Sequence, residues 1–156
     1  MAAIAMTAAA CGSAGTGSTP TPTPSPSPSP VATTPIQSPI PPVLVFKLVG
    51  VGTATATGTV MVTAVGTTLT VEVKVTGLQG GSVHVSHIHV GSCTARGGIL
   101  RALNPVIADS MGSADAKTTV NLKYPPTTGH VYVVVHYGPD MVGTNSKYLL
   151  CGNLFK

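Results

Sequence analysis

The stretch 83–93, Val-His-Val-Ser-His-Ile-His-Val-Gly-Ser-Cys, holds three of the chain's five histidines within six positions. Four residues after the last of them stands Cys93, one of three cysteines. In an extended strand successive side chains alternate faces. Val83, Val85, His87 and His89 then share one face, and His84, Ser86, Ile88 and Val90 share the other. Two imidazoles two positions apart on one face sit about 6.5–7 Å apart at the backbone, so both can lean onto one metal ion. A helix allows that only at a spacing of three or four. His84 falls on the opposite face and is expected to hydrogen-bond locally.

The other chemistry-bearing residues are few. Cys93 and Cys151 are the two cysteines of the region that carries charge and strand pattern, and in an exported protein such a pair reads as a disulfide. It closes a loop of about 57 residues, worth on the order of 4 kcal/mol in the chain-entropy model. It also anchors the loop after the histidine strand to the last strand. His130 follows Gly129 and is expected as an exposed turn histidine. Asp109 and Asp115 lie among Gly, Ser and Ala and read as solvated loop charges, while Tyr132 and Tyr137 are expected to cover the edge of the core. The five methionines form no spaced copper-binding run.

What positions these residues is a β-rich unit behind an uncharged tail. All eight Lys/Arg and all four Asp/Glu lie after residue 42, and ten of the fourteen prolines lie at or before it. From 43 to 156 Val, Thr and Gly dominate and Trp is absent, a strand-forming composition. The run Leu69, Val71, Val73, Val75 against Thr70, Glu72, Lys74, Thr76 is strict alternation, the mark of a half-buried strand. Strands are expected near 43–49, 58–64, 68–77, 82–90, 98–103, 117–123, 131–137 and 147–154, and no helix. Eight short strands divided by Gly-rich turns predict an all-β, eight-stranded antiparallel Greek-key barrel or sandwich.

The first 42 residues divide into a segment at 1–11 and a Pro/Thr/Ser-rich linker at 12–42. Ala8-Ala9-Ala10-Cys11-Gly12-Ser13 resembles a bacterial lipoprotein cleavage site, in which Cys11 becomes the lipidated N-terminus. The third residue before the cysteine is Ala8 where such signals usually carry Leu, and the positive n-region is missing. The competing reading is a plain secretory signal with an incidental cysteine. The run TPTPTPSPSPSP at 19–30 favours extended polyproline II, a semi-rigid spacer rising about 3.1 Å per residue, with a glycosylated stalk as the alternative. These features predict an exported, cell-surface or periplasmic lipoprotein held to the membrane through Cys11. A net charge of +4 from scattered residues forms no basic run, so nucleic acid is not an expected partner.

In order along the chain, the motifs resemble the copper/zinc superoxide dismutases. Thr76-Gly77-Leu78 and Gly80-Gly81 precede His84-x-x-His87-x-His89, as in that family's TGL…HGFHIH. Cys93, Asn104-Pro105, Val133-Val134-Val135-His136, Asp140-x-x-Gly143 and Leu150-Cys151-Gly152 follow where the family has its loop cysteine, NP, VVH, DDLG and LACG. The resemblance implies copper ligation by His87, His89 and His136, with copper as cofactor rather than zinc and superoxide or copper ion as partner. The departures bear on catalysis. The bridging histidine expected before Asn104 is replaced by Arg101-Ala102-Leu103, no histidine lies between His89 and His130 to build a zinc loop, and no arginine closely precedes Cys151. Lys147 is the one charge in place to steer an anion. A second resemblance is to CHRD domains, which share an HIH strand and a Gly-rich segment on a similar barrel and imply a structural or adhesive role. The readings are therefore a tethered copper protein with dismutase activity, a copper-binding module without turnover, and a structural β domain.

Overall fold

The computed structural model describes Gly17 and residues 40–155. The lipidation expected at Cys11 and the proline-rich run at 19–30 lie outside the described residues. Eight strands follow in chain order: β1 (Val43–Gly50), β2 (Thr57–Val65), β3 (Thr68–Thr76), β4 (Val83–Gly91), β5 (Arg96–Ile107), β6 (Ala114–Asn121), β7 (Val131–His136) and β8 (Tyr148–Asn153). Before β8, Gly143–Ser146 forms a single 3-10 turn. The expected eight-stranded all-β architecture is the one observed.

The strands form one antiparallel sheet in the order β5-β4-β7-β8-β1-β2-β3-β6. The pairings β4–β7, β8–β1 and β3–β6 join strands far apart in sequence, which gives the Greek-key winding. The sheet curls into a nearly closed barrel. At its seam, between β5 and β6, side chains bridge the ends of the sheet. Asn104 N–H donates to Thr118 Oγ1, Asn104 Nδ2 to the Lys117 carbonyl and Arg101 Nε to the Asn121 carbonyl. The β1–β8 junction is narrow, with only Val49↔Cys151 and Gly50↔Leu150 in register.

Alternation sorts residues between the inside and the outside of the barrel. Leu69, Val71, Val73 and Val75 of β3 point inward and are buried, joined by Val60 and Val62, Phe46 and Leu48, Ile88, Val106, Val131, Val133, Val135 and Leu150. β7 is the exception, because all six of its residues are buried. Its other face, with Tyr132 and Val134, packs with Cys151 into a second cluster outside the barrel, covered by Val51, Cys93 and Tyr148. A strand covered on both faces reads as a continuous apolar run, which is why Val133-Val134-Val135 shows no alternation. Tyr132, expected at the edge of the core, is wholly buried in this outer cluster.

The outer cluster is held by the expected disulfide. Cys93 and Cys151 are bonded, with Cα atoms 5.9 Å apart. The turn leading from β4 to Cys93 needs a glycine. Gly91 sits at φ 102°, and a Cβ there would lie 2.3 Å from the Ala95 carbonyl oxygen. Asp115, expected in a loop, lies in β6 opposite Lys74, whose Nζ is 2.8 Å from both Asp115 and Glu72.

Candidate metal centre

Strands β4 and β7 are neighbours, with His87↔Val134 and His89↔Tyr132 in register. His87 and His89 project from the outer face of β4, as the alternation predicts, while Ile88 enters the core. His136 ends β7 on the same outer face as Tyr132 and Val134. The three rings meet there, with centroids 5.1 Å (His87–His136), 5.8 Å (His89–His136) and 6.0 Å (His87–His89) apart.

Hydrogen bonding fixes which nitrogens are free. A main-chain carbonyl can only accept, so a ring nitrogen that meets one must carry the hydrogen. His89 Nδ1 donates to the Gly97 carbonyl at 3.0 Å, and His136 Nδ1 donates to the Ser146 carbonyl at 2.7 Å. Each neutral ring then keeps its lone pair on Nε2. Those two atoms, together with His87 Nδ1, are buried and have no hydrogen-bond partner. One ligand nitrogen from each histidine falls within 4.8 Å of the others. Two imidazoles on one ion stand at most about 4.2 Å apart, so small ring rotations complete the closure.

Unsatisfied buried acceptors are costly, and three converging ones call for a common partner. The set fits a borderline transition metal: three neutral imidazoles, two of them oriented by carbonyls behind them. Two of the rings, His87 and His136, are also poised to remain neutral. Burial, followed by the neighbouring His136 and His89, holds the His87 ring down to about 4. Burial likewise lowers His136, against the opposing effect of its bond to Ser146.

Residues 47–138 match the model of the CHRD domain, a span that takes in all three histidines. The chain belongs to the CHRD domain family. No curated protein matches the sequence. Among solved structures, this CHRD domain is similar to a double mutant of a SOD-like protein from Bacillus subtilis. The two share 15% identity over 72% of this chain and 97% of that chain, with a TM-score of 0.54. At that identity the likeness concerns the fold, which is the superoxide dismutase-like barrel.

The remaining candidates fall into separate places. His84 is buried on the core side of β4, with Nε2 2.8 Å from Ser82 Oγ and Nδ1 2.9 Å from the His136 carbonyl. His130 is exposed, and its ring stacks on Phe155 at 4.1 Å. Ala102 is the residue of β5 in register with His87, so a methyl group stands across from that ligand. Lys147 lines an open cleft of about 570 Å³ together with Arg96, Ser146 and Tyr148.

Arg96 is the residue that sequence reasoning missed. Its guanidinium lies 4.5 Å over the Tyr148 ring, and that ring stands 5.4 Å from His136 and 5.6 Å from His89. A cation thus borders the site from the start of β5, far in sequence from the stretch before Cys151. Its only sequence signal is its place three residues after Cys93, at the end of the turn that the disulfide holds.

Proposed function

We propose that this CHRD domain is a copper-binding protein, exported and tethered to a membrane through Cys11, with His87 Nδ1, His89 Nε2 and His136 Nε2 as ligands. The observation that carries the reading is the set of three buried, unpaired and converging ring nitrogens. Copper is preferred to zinc because three imidazoles satisfy Cu(I) directly, while Cu(II) takes a further ligand that water supplies. Zinc sites usually complete four ligands, and Ala102 offers none from the facing strand. When bound, copper supplies one-electron chemistry. The protein's part is to orient His89 and His136 through the carbonyls of Gly97 and Ser146, while burial favours neutral rings at His87 and His136.

Superoxide dismutation is the second reading. The fold and the pair Arg96 and Lys147 at one cleft support it, because cations there attract a small anion toward the site. The ligand nitrogens are closed to solvent, which favours binding over fast turnover.

Two measurements test these readings. Electron paramagnetic resonance of the copper-loaded protein should show nitrogen coupling that changes in His87→Ala and in His89→Ala. Identical spectra in all three proteins would place copper elsewhere. For catalysis, wild type should dismute superoxide faster than His87→Ala at equal copper content. Equal rates reduce the function to binding.

A further inference from the structure

We propose that Tyr132 and Tyr148 form an oxidisable pair beside the three histidines, and that hydrogen peroxide joins them as dityrosine when copper is bound. The inference rests on the copper reading above.

Both rings touch ligand rings. Tyr148 stands 5.6 Å from His89 and 5.4 Å from His136, and Tyr132 stands 5.2 Å from His89. Their hydroxyl oxygens are 2.9 Å apart, and the ring centroids 6.3 Å. The other two tyrosines are placed differently. Tyr124 donates to the Leu154 carbonyl and lines an apolar pocket with Phe155, and Tyr137 is exposed, lining both the cavity on the His84 side of β4 and the cleft of Arg96 and Lys147. Phenol is the most readily oxidised group in contact with the ligand rings, so an oxidant generated at the site meets this pair first.

The surroundings provide for the protons as well as the electrons. Gly97 N–H donates to the Tyr132 oxygen at 3.3 Å. Tyr132 is sealed from solvent, which leaves the Tyr148 oxygen to accept its hydroxyl hydrogen. Tyr148 in turn lines the open cleft with Arg96 and Lys147, where water accepts a proton. Arg96 above the ring disfavours a cationic phenol, so the electron leaves together with the proton.

The reaction balances with one peroxide. Each phenol gives up one electron and one proton, and hydrogen peroxide takes two of each, its O–O bond breaking to give two waters. The two phenoxyl radicals join by a carbon–carbon bond ortho to the oxygens. The hydrogens on those carbons return to the oxygens and restore both rings.

The test uses the full chain loaded with one equivalent of copper, treated with hydrogen peroxide, reduced and digested with trypsin. The expected product is a cross-link between the peptide 124–147 and the peptide 148–156, with fragment ions at Tyr132 and Tyr148. Both the cross-link and its dityrosine fluorescence should be lost in zinc-loaded protein, in Tyr148→Phe and in Tyr132→Phe, with copper uptake measured on each variant. Copper-loaded protein whose oxidation falls only on the ligand histidines or on Tyr137 would overturn the pair and leave copper binding standing. Protein that takes up no copper would overturn both.

Discussion

The Nδ1–H of His84 donates to the main-chain carbonyl of His136 at 2.9 Å. The histidine that alternation excludes from the ligand set therefore holds the end of the strand that delivers the last ligand. Its other nitrogen meets Ser82 Oγ at 2.8 Å, and that hydroxyl also lies 2.6 Å from the Gln79 carbonyl. The turn before β4 is thereby tied to the end of β7 through one buried ring.

Replacing that ring should affect both stability and metal. His84→Ala leaves the His136 carbonyl without its donor in a buried place, at a cost of about 1–3 kcal/mol. Urea unfolding of the metal-free protein measures it. Outer-shell support lost from a ligand usually lowers metal affinity roughly 10–100-fold. Unchanged affinity in His84→Ala would show that β7 keeps its end without this bond.

The disulfide fastens the loop after His89 to the strand beside His136, through Cys93 and Cys151. Asn153 Oδ1 adds a bond from Cys93 N–H at 2.9 Å. Reduction is expected to cost on the order of 4 kcal/mol of stability in the chain-entropy model. It should also weaken metal binding, because the Gly97 carbonyl that orients His89 follows this loop. A competition titration with and without reductant reads the second effect, and equal affinities would remove the anchoring role.

Acid should destabilise the metal-free protein through the same rings that form the candidate metal site. His87 is held down to about 4 in the fold, first by burial and then by His136 and His89. An unfolded histidine titrates at about 6.5, so between these values the unfolded chain binds more protons. The stability from a neutral His87 is complete above about pH 6.5 and is lost as the pH falls toward 4. His136 is shifted in the same direction. The melting temperature of chelator-treated protein should drop across that window, and less so in His87→Phe. A flat profile in wild type would contradict the burial of these rings.

The loop behind His136 offers a separate handle. Asp140 Oδ1 accepts from Asn145 Nδ2 and Val142 N–H, both at 2.9 Å, and these bonds, the first above all, hold its carboxyl below the usual carboxylate range. Next to Asn145 comes Ser146, whose carbonyl orients His136. Gly138 packs so closely on Asn145 that a Cβ would lie 2.2 Å from the Asn145 side chain. Asp140→Ala should leave the fold intact and lower metal affinity by roughly tenfold. Isothermal titration with copper would measure it, and wild-type affinity would separate the loop from the site.

The sequence showed the fold most clearly where a strand has one wet face. Leu69 to Val75 alternate because only one side meets the core, whereas in β4 the pleat alone separates His84 from His87 and His89, since both faces are buried there. Where both faces are covered the period disappears, so the outer burial of Tyr132 was not legible in β7. The β6 strand opens with Ala114-Asp115-Ala116, too small and polar to mark itself, and Asp115 read as loop. His136 joined His87 and His89 only through family resemblance, since no local spacing connects residues this far apart. Arg96 had no signal beyond its place three residues after Cys93. It reaches Tyr148 because the cross-linked turn after β4 places the start of β5 there, a tertiary fact.

The central claim is that His87, His89 and His136 together hold one copper ion. The most direct measurement is the copper-to-protein ratio after reconstitution and removal of loosely bound metal, on wild type beside His136→Ala. One tightly held equivalent is expected in wild type, and its loss in His136→Ala. Equal copper content in the two proteins, whether full or absent, would contradict it.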